Sequence, residues 1–297
     1  MSAVQQRAAA EFLRERFGVS ERRAARALGR SRSTLRYRPR PRDGEASLVG
    51  ALRRLLRRHP RYGYRRIWAR LVAAGWRVNR KRVHRLWKAL GLKRRIRRKT
   101  RGNQRFPGSS ANSCSVRPAT GINDVWTVDF IHDRTMSGSS LKWLSVVDEY
   151  TREWLVLVPA AAMNAAQVRR MMGRLVGRRG QPRAIRCDNG GEFIGGALAG
   201  WLPTIGVELW PVAPASPWQN GYVESFHSRL RDEFLNCSVF ADVADARAQA
   251  DWFRREYNTV RPHSGLGYQT PHGFAASCGE VGSNGLAGGN PPERTAA

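Results

Sequence analysis

Apolar residues recur at two different periods along this chain, and the change from one to the other divides it. In the front third they fall three and four apart, the spacing of a helix that sets one face on a core. Ser20 can cap a helix over Glu21 to Leu28, Gly29 breaks the chain, and Ser31 or Ser33 can open a short second helix through Tyr37. The plan then repeats. Ile67, Leu71 and Ala74 share a helical face that Gly75 ends, and Asn79 caps Arg80 to Leu90, where Val83, Leu86, Trp87 and Leu90 form an apolar stripe before Gly91 at the C′ position. Both segments read as helix, glycine turn, helix. Trp68, Trp76 and Trp87 read as small-domain core rather than as platforms for stacked bases.

From Val125 onward the pattern becomes short β-rich runs. Val125 to Ile131, Leu141 to Val147 and Trp154 to Val158 predict three successive strands, with a polar turn at 136–140 between the first two. Asn164 to Val176 predicts a helix, Ala184 to Cys187 a buried strand, Phe193 to Ile205 a helix and Val207 to Pro211 another strand. A meander followed by alternating helix and strand is an α/β architecture, a mixed sheet flanked by helices. Ser216-Pro217-Trp218-Gln219 has the form of a capping box with proline at its first helical position, so a helix should run from Pro217 to about Asn236. Val223, Phe226, Leu230 and Phe234 share one side of it; Asn220, Glu224, His227, Ser228 and Arg231 share another.

Charge sharpens the division. The chain carries 52 Lys and Arg against 23 Asp and Glu, a net charge of +29. Residues 1–120 hold 35 basic and 5 acidic side chains, whereas residues 121–297 hold 17 and 18, so the excess belongs to the front alone. A polyanion, nucleic acid, is the expected partner there, held through phosphates and therefore sensitive to salt. Arg outnumbers Lys 47 to 5. Its planar fork suits phosphate, but GC-rich codon usage would favour it everywhere, so placement is the signal rather than residue choice. A helix-turn-helix sets its second helix in the major groove, which makes Arg80, Lys81, Arg85 and Lys88 candidate DNA contacts; the alternative is a solvated basic face on a helical bundle. The run beginning Lys93, Arg94, Arg95 and continuing to Arg101 favours DNA, because like charges at that density repel unless a polyanion neutralises them. The expected organisation is an N-terminal helix-turn-helix-like segment at 1–46, a basic helix-turn-helix domain at 47–100, a linker at 101–122, an α/β core at 123–278 and a disordered tail at 279–297. No apolar run is long enough for a membrane span, and no apolar signal segment opens the chain, so a cytoplasmic location is expected. The four cysteines stand far apart with no Cys-x-x-Cys pair, a pattern for neither a disulfide nor a zinc framework.

Three acids carry the candidate chemistry. Asp129 sits in an otherwise apolar strand, Asp188 ends another strand and opens Asp188-Asn-Gly-Gly-Glu-Phe193, and Glu224 lies in mid-helix on a polar face. Singly, each has a plain reading as strand cap, turn former or surface residue. Two aspartates on neighbouring strands beside a helical glutamate would instead form a carboxylate cluster, which must take up protons or hold a hard cation such as Mg²⁺ or Mn²⁺.

The spacing then becomes recognisable. Asp188 and Glu224 are separated by 35 residues, and with Asp129 they resemble the D,D(35)E signature of bacterial insertion-sequence transposases and retroviral integrases. The context Trp126-Thr-Val-Asp129-Phe130, the Asp188 to Phe193 block, Ser216-Pro-Trp-Gln-Asn-Gly-Tyr-Val-Glu224-Ser-Phe, Arg231, and Tyr257-Asn258-Thr-Val-Arg261-Pro262-His263-Ser-Gly-Leu266-Gly-Tyr268 are all similar to the integrase-like second-frame product of two-frame insertion sequences. His59-Pro-Arg-Tyr-Gly-Tyr-Arg-Arg-Ile67 through Gly91 is similar too, so the resemblance spans roughly residues 47 to 275. It implies a ribonuclease-H-like core preceded by a helix-turn-helix. It also implies a homo-oligomer acting on the terminal repeats of an element and on target DNA, with an upstream first-frame product as a further partner. The separate helix-turn-helix pattern of Met1 to Arg42 departs from that plan and puts Met1 in doubt as the sole start.

Under the resemblance, Asp129, Asp188 and Glu224 hold two divalent ions about 4 Å apart for in-line displacement at phosphorus, hydrolysis first and strand transfer afterwards. Arg231, two turns past Glu224, would grip a phosphate beside the scissile bond. Asn189 and Asn220 would orient substrate, or simply serve a turn and a polar helix face. His227 is expected to meet DNA or solvent rather than metal, and Arg261 and His263 are either fold-closing or backbone-contacting. A catalytically silent DNA-binding regulator and a nuclease without strand transfer are the competing functions.

Overall fold

The computed structural model describes residues 3–37, 44–92, 117–212 and 221–283, without the side chains of 3–4, 221–225 and 279–283. It divides into two compact units at Arg54/Leu55. The first contains α1 (Ala3–Phe17), α2 (Glu21–Ala27) and α3 (Arg32–Arg36). Ser20 caps α2 by accepting from the Arg23 amide, and Ser31, the first of the two expected serines, caps α3 through the Thr34 amide. Gly29 turns between them at φ +60°, and Ala10, Ala25 and Leu35 form the small core. The fork of Arg36 closes on Glu21 at 2.6 and 2.7 Å.

The helix α4 (Glu45–Arg58) contains the division point. The second hairpin, α5 (Tyr64–Ala73) and α6 (Arg80–Ala89), falls in the same compact unit as the α/β core. Ile67, Ala69, Leu71, Val83, Leu86 and Trp87 are its buried residues, whereas Trp68 is half-buried and donates its indole N–H to the Val78 carbonyl at 2.9 Å. Asn79 caps α6 by accepting from the Lys81 amide at 2.8 Å.

The core is one five-stranded sheet in the order β3-β2-β1-β4-β5, built from β1 (Val125–Arg134), β2 (Ser140–Asp148), β3 (Trp154–Ala160), β4 (Ala184–Cys187) and β5 (Glu208–Pro211). β1, β2 and β3 pair antiparallel; β1–β4 and β4–β5 pair parallel. This is the ribonuclease-H-like α/β architecture. Alternation along β1 fixes what lies on each face. Trp126 and Val128 point to the side covered by α7 (Ala165–Arg179), α8 (Gly191–Ile194) and α9 (Ala197–Trp201), where Val168, Met172, Phe193 and Leu198 complete a core. Ile131 points to the other side, where Phe226 and Leu230 of α10 (Gly221–Glu233), Phe234 just beyond it, and Phe253 and Tyr257 of α11 (Val243–Thr259) pack around Trp143 and Trp154. The last helix is α12 (Pro271–Ser283).

Three expected boundaries change. The helix expected over Phe193 to Ile205 is broken into α8, α9 and a 3₁₀ turn at Leu202–Ile205, because Gly195-Gly196 interrupts it, Gly196 at φ +64°, and Pro203 cannot continue the α ladder. The long helix ends at Glu233 rather than Asn236, where Phe234 leaves helical geometry at φ −127° and ψ −71°; its expected cap, Ser216 to Gln219, lies outside the described residues. α12 continues beyond 278, the expected end of the core. Among the described residues no helix is long and apolar enough to cross a membrane.

Candidate active site

The parallel pairing of β1 with β4 ends on Val128 opposite Cys187. The next residue on each strand is an aspartate, so Asp129 and Asp188 stand side by side, on the face that α10 covers. Asp129 is mostly buried, with 16% of its side chain exposed. Its Oδ1 accepts the Phe130 amide at 2.7 Å, and Asp188 Oδ1 accepts the Gly190 amide at 3.0 Å. Burial, with a smaller contribution from the charge of Asp188, pushes the Asp129 carboxyl up to about 7. The Cys187 thiol is pushed up to about 12 by burial and by both neighbouring carboxylates.

Three other buried acids of the core are matched with arginine, and a fourth, Asp148, accepts the amides of Asn123, Tyr150 and Thr151. Glu149 receives Arg186 at 2.9 and 3.1 Å, Asp124 receives Arg183 at 2.6 Å, and Glu153 pairs with Arg179. Asp129 and Asp188 have no lysine or arginine partner among the described residues. Two acids placed together with hard oxygen donors and no counter-cation fit a divalent ion.

Helical spacing relates Glu224 to this pair. His227 lies one turn further along α10, and its Nδ1 is 3.6 Å from Asp129 Oδ2, so the turn that carries residue 224 adjoins β1. The Glu224 side chain is outside the described residues. His227 itself corrects the expectation of a DNA- or solvent-facing residue. It is four-fifths buried beside Asp129, and burial, with the nearby charge of Arg231, lowers it to about 4, which keeps the ring neutral.

Arg231 is exposed two turns beyond residue 224, as its spacing requires. Asn189 donates to the Val212 carbonyl at 2.8 Å and so ties the loop after β4 to the end of β5. Arg80, Lys81, Arg85 and Lys88 are exposed on α6. Asn220, Lys93, Arg94 and Arg95 lie outside the described residues. Arg261 is fold-closing: it is 2% exposed, its fork holds Glu233 at 2.6 and 2.7 Å, and it lies over the Tyr257 ring. His263 is buried as well.

One contact beside the acids is missing from the sequence reading. Lys142 on β2 pairs with Glu192 of α8 and lies 4.0 Å over the Phe130 ring, while Phe130 stacks on Phe193 at 4.9 Å. This clamp fixes the turn that follows Asp188. A signal was present, because Lys142 is the only lysine after residue 99. Gly190 leaves room there: a Cβ on it would lie 3.0 Å from Asp188 Oδ1 and 3.3 Å from Glu192 Oε2, so one of these side chains would have to shift.

Integrase core domain families match residues 119–217 and 205–271, and an HTH-like domain family matches residues 43–100. The uncharacterized 31.7 kDa protein of insertion element IS407 from Burkholderia multivorans is 38% identical over 270 residues, covering 89% of this chain and 93% of that protein. The uncharacterized 39.2 kDa protein of IS476 from Xanthomonas euvesicatoria is 38% identical over 264 residues, 87% of this chain and 73% of that one. Transposase InsD of IS2D from Escherichia coli is 28% identical over 230 residues, 72% of this chain and 73% of that one. Among solved structures, the HTLV-2 integrase catalytic core in complex with magnesium has 13% identity and a TM-score of 0.43 over 53% of this chain and 99% of that chain. The chain thus belongs to the integrase-type transposases of bacterial insertion sequences.

Proposed function

We propose that the chain cleaves the ends of its insertion element and joins them to target DNA, with Asp129, Asp188 and Glu224 as the catalytic acids. The observation that carries this reading is the side-by-side placement of two aspartates without a lysine or arginine partner among the described residues, one of them pushed up to about 7, beneath the helix that holds residue 224. Asp129 and Asp188, joined by Glu224, would hold a pair of Mg²⁺ or Mn²⁺ ions, which when bound activate a water or 3′-hydroxyl nucleophile and stabilise the leaving oxygen.

The chain's own residues do the rest. Gly190 and the Lys142–Glu192 clamp hold Asp188 in place, neutral His227 packs against Asp129 without competing for the cation, and exposed Arg231 binds a phosphate beside the scissile bond. Arg80, Lys81, Arg85 and Lys88 of α6 grip the terminal repeat, and a homo-oligomer brings two ends together.

The test compares wild type with Asp129→Asn, Asp188→Asn and Glu224→Gln on a duplex carrying the element end. Each variant should lose Mg²⁺-dependent cleavage and joining by at least about 1,000-fold while binding the end within about threefold of wild type. Normal joining by any one of them refutes the assignment. Cleavage without joining by wild type would identify a nuclease, and binding without cleavage a silent regulator.

A further inference from the structure

The hairpin that should hold DNA and the helix that carries Glu224 meet at one buried carboxylate. Glu233, the last residue of α10, is 7% exposed and accepts three charge-assisted hydrogen bonds. Two come from Arg261, at 2.6 and 2.7 Å, and the third from Arg66 of α5, at 2.6 Å. These arginines do different work. Arg261 belongs to the loop after α11 and is itself buried, so its pair with Glu233 closes the core. Arg66 is the contribution of the hairpin.

Weaker contacts surround the joint: Arg70 to the Val260 carbonyl at 3.2 Å, Arg61 to Asp232 at 3.7 Å, and the edge of Trp68 against Tyr268 at 5.9 Å. Next to it the seam opens into a cleft, with Tyr64 and Arg65 on one wall and Ser228 and Arg229 on the other. Among the described contacts between the hairpin and α10, the Arg66–Glu233 bond is the shortest. Glu233 lies nine residues beyond Glu224 on the same helix, about 14 Å along its axis.

We infer that Arg66 and Glu233 form a positioning joint, through which DNA gripped by α6 determines the phosphodiester presented to the acids. The cleavage role of this joint rests on the function proposed above; the joint itself does not. Removing Arg66 leaves Glu233 paired with Arg261, so the core keeps its closure. Removing Glu233 would strand the buried Arg261 guanidinium along with that of half-buried Arg66 and confuse the result with unfolding.

Arg66→Met, which keeps the aliphatic stem, and Arg66→Lys, which keeps the charge, are therefore compared with wild type as full-length proteins. The first readout is hydrogen exchange without DNA or metal. A charge-assisted hydrogen bond implies that Arg66→Met should speed exchange of α5 and α6 amides about 10- to 100-fold, leave β1 and β4 unchanged, and be largely restored in Arg66→Lys. Unchanged hairpin exchange overturns the joint, whether or not the chain cleaves DNA. The second readout maps the cut phosphate on an end-labelled duplex. Arg66→Met should bind the end within about threefold of wild type, yet cut about 10- to 100-fold more slowly and spread its cuts over adjacent phosphates, with Arg66→Lys returning them to one position. Cutting at the wild-type phosphate and rate overturns the positioning role. A wild type that cuts nothing counts against the proposed function, and exchange then decides on the joint alone.

Discussion

Asp129→Asn offers a sharp physical test because it should stabilise the metal-free protein while destroying its activity. An ordinary aspartate titrates at 3.8, and in this fold Asp129 is pushed up to about 7, chiefly by burial and secondarily by Asp188. For an acid raised on folding, the unfolded chain loses its proton first. The folded state therefore carries no penalty below 3.8, loses stability as pH rises from there to about 7, and is level above it. A difference of about 3 units at 1.36 kcal/mol each gives a full penalty of about 4 kcal/mol at pH 8, reduced to under about 2 kcal/mol at pH 5. Asparagine has no such penalty, and its Oδ1 can still accept the Phe130 amide, which lies 2.7 Å from the native carboxylate.

The assay is urea unfolding of both proteins in EDTA from pH 5 to 8. Taking the difference between them cancels every titrating group they share. The variant should be the more stable at pH 8, by up to about 4 kcal/mol, and the advantage should narrow steadily toward pH 5. Mg²⁺ at about 100 times its dissociation constant should return about 2.7 kcal/mol to wild type and little to the variant. A pH-independent difference, or a wild type more stable than the variant at pH 8, would refute the reasoning that two uncompensated acids share this site.

Two further predictions use neighbouring features. Gly190→Ala puts a methyl group 3.0 Å from Asp188 Oδ1 at a backbone angle, φ −59°, that alanine accepts; melting should stay close to wild type while cleavage falls about 10- to 100-fold. Buried His59 and His263 are lowered to about 4 and about 3 by burial and nearby arginines, so stability from these two groups should be complete above about pH 6.5 and decline as pH falls toward 4, with the decline reduced in His59→Gln when followed by urea unfolding.

Much of this architecture was legible because its signals are local. Ser20, Asn79 and Gly29 act within a few residues, and β-rich runs mark the five strands. Residues 193–205 look like one helix because their apolar positions continue in helical register across Gly195, Gly196 and Pro203, where the backbone breaks. Arg261 could be placed only once its partner was known: Glu233 is 28 residues away in sequence, and nothing local marks that pair. His227 shows the same limit, since a polar helix face looks alike whether it meets solvent or a buried aspartate.

What no single segment encodes is the parity that brings the acids together. Val128 and Cys187 both pack under α7 and α8, so their successors, Asp129 and Asp188, must both emerge on the opposite face. A one-residue slip of β4 against β1 would turn Asp188 into an apolar core and leave Asp129 alone. The 35 residues before Glu224 then have a structural meaning: from Asp188 the chain covers one face with α8 and α9, returns along the sheet as β5, and reaches the other face to form α10. Deletion within that excursion should therefore displace Glu224 even though neither strand bearing an aspartate is altered.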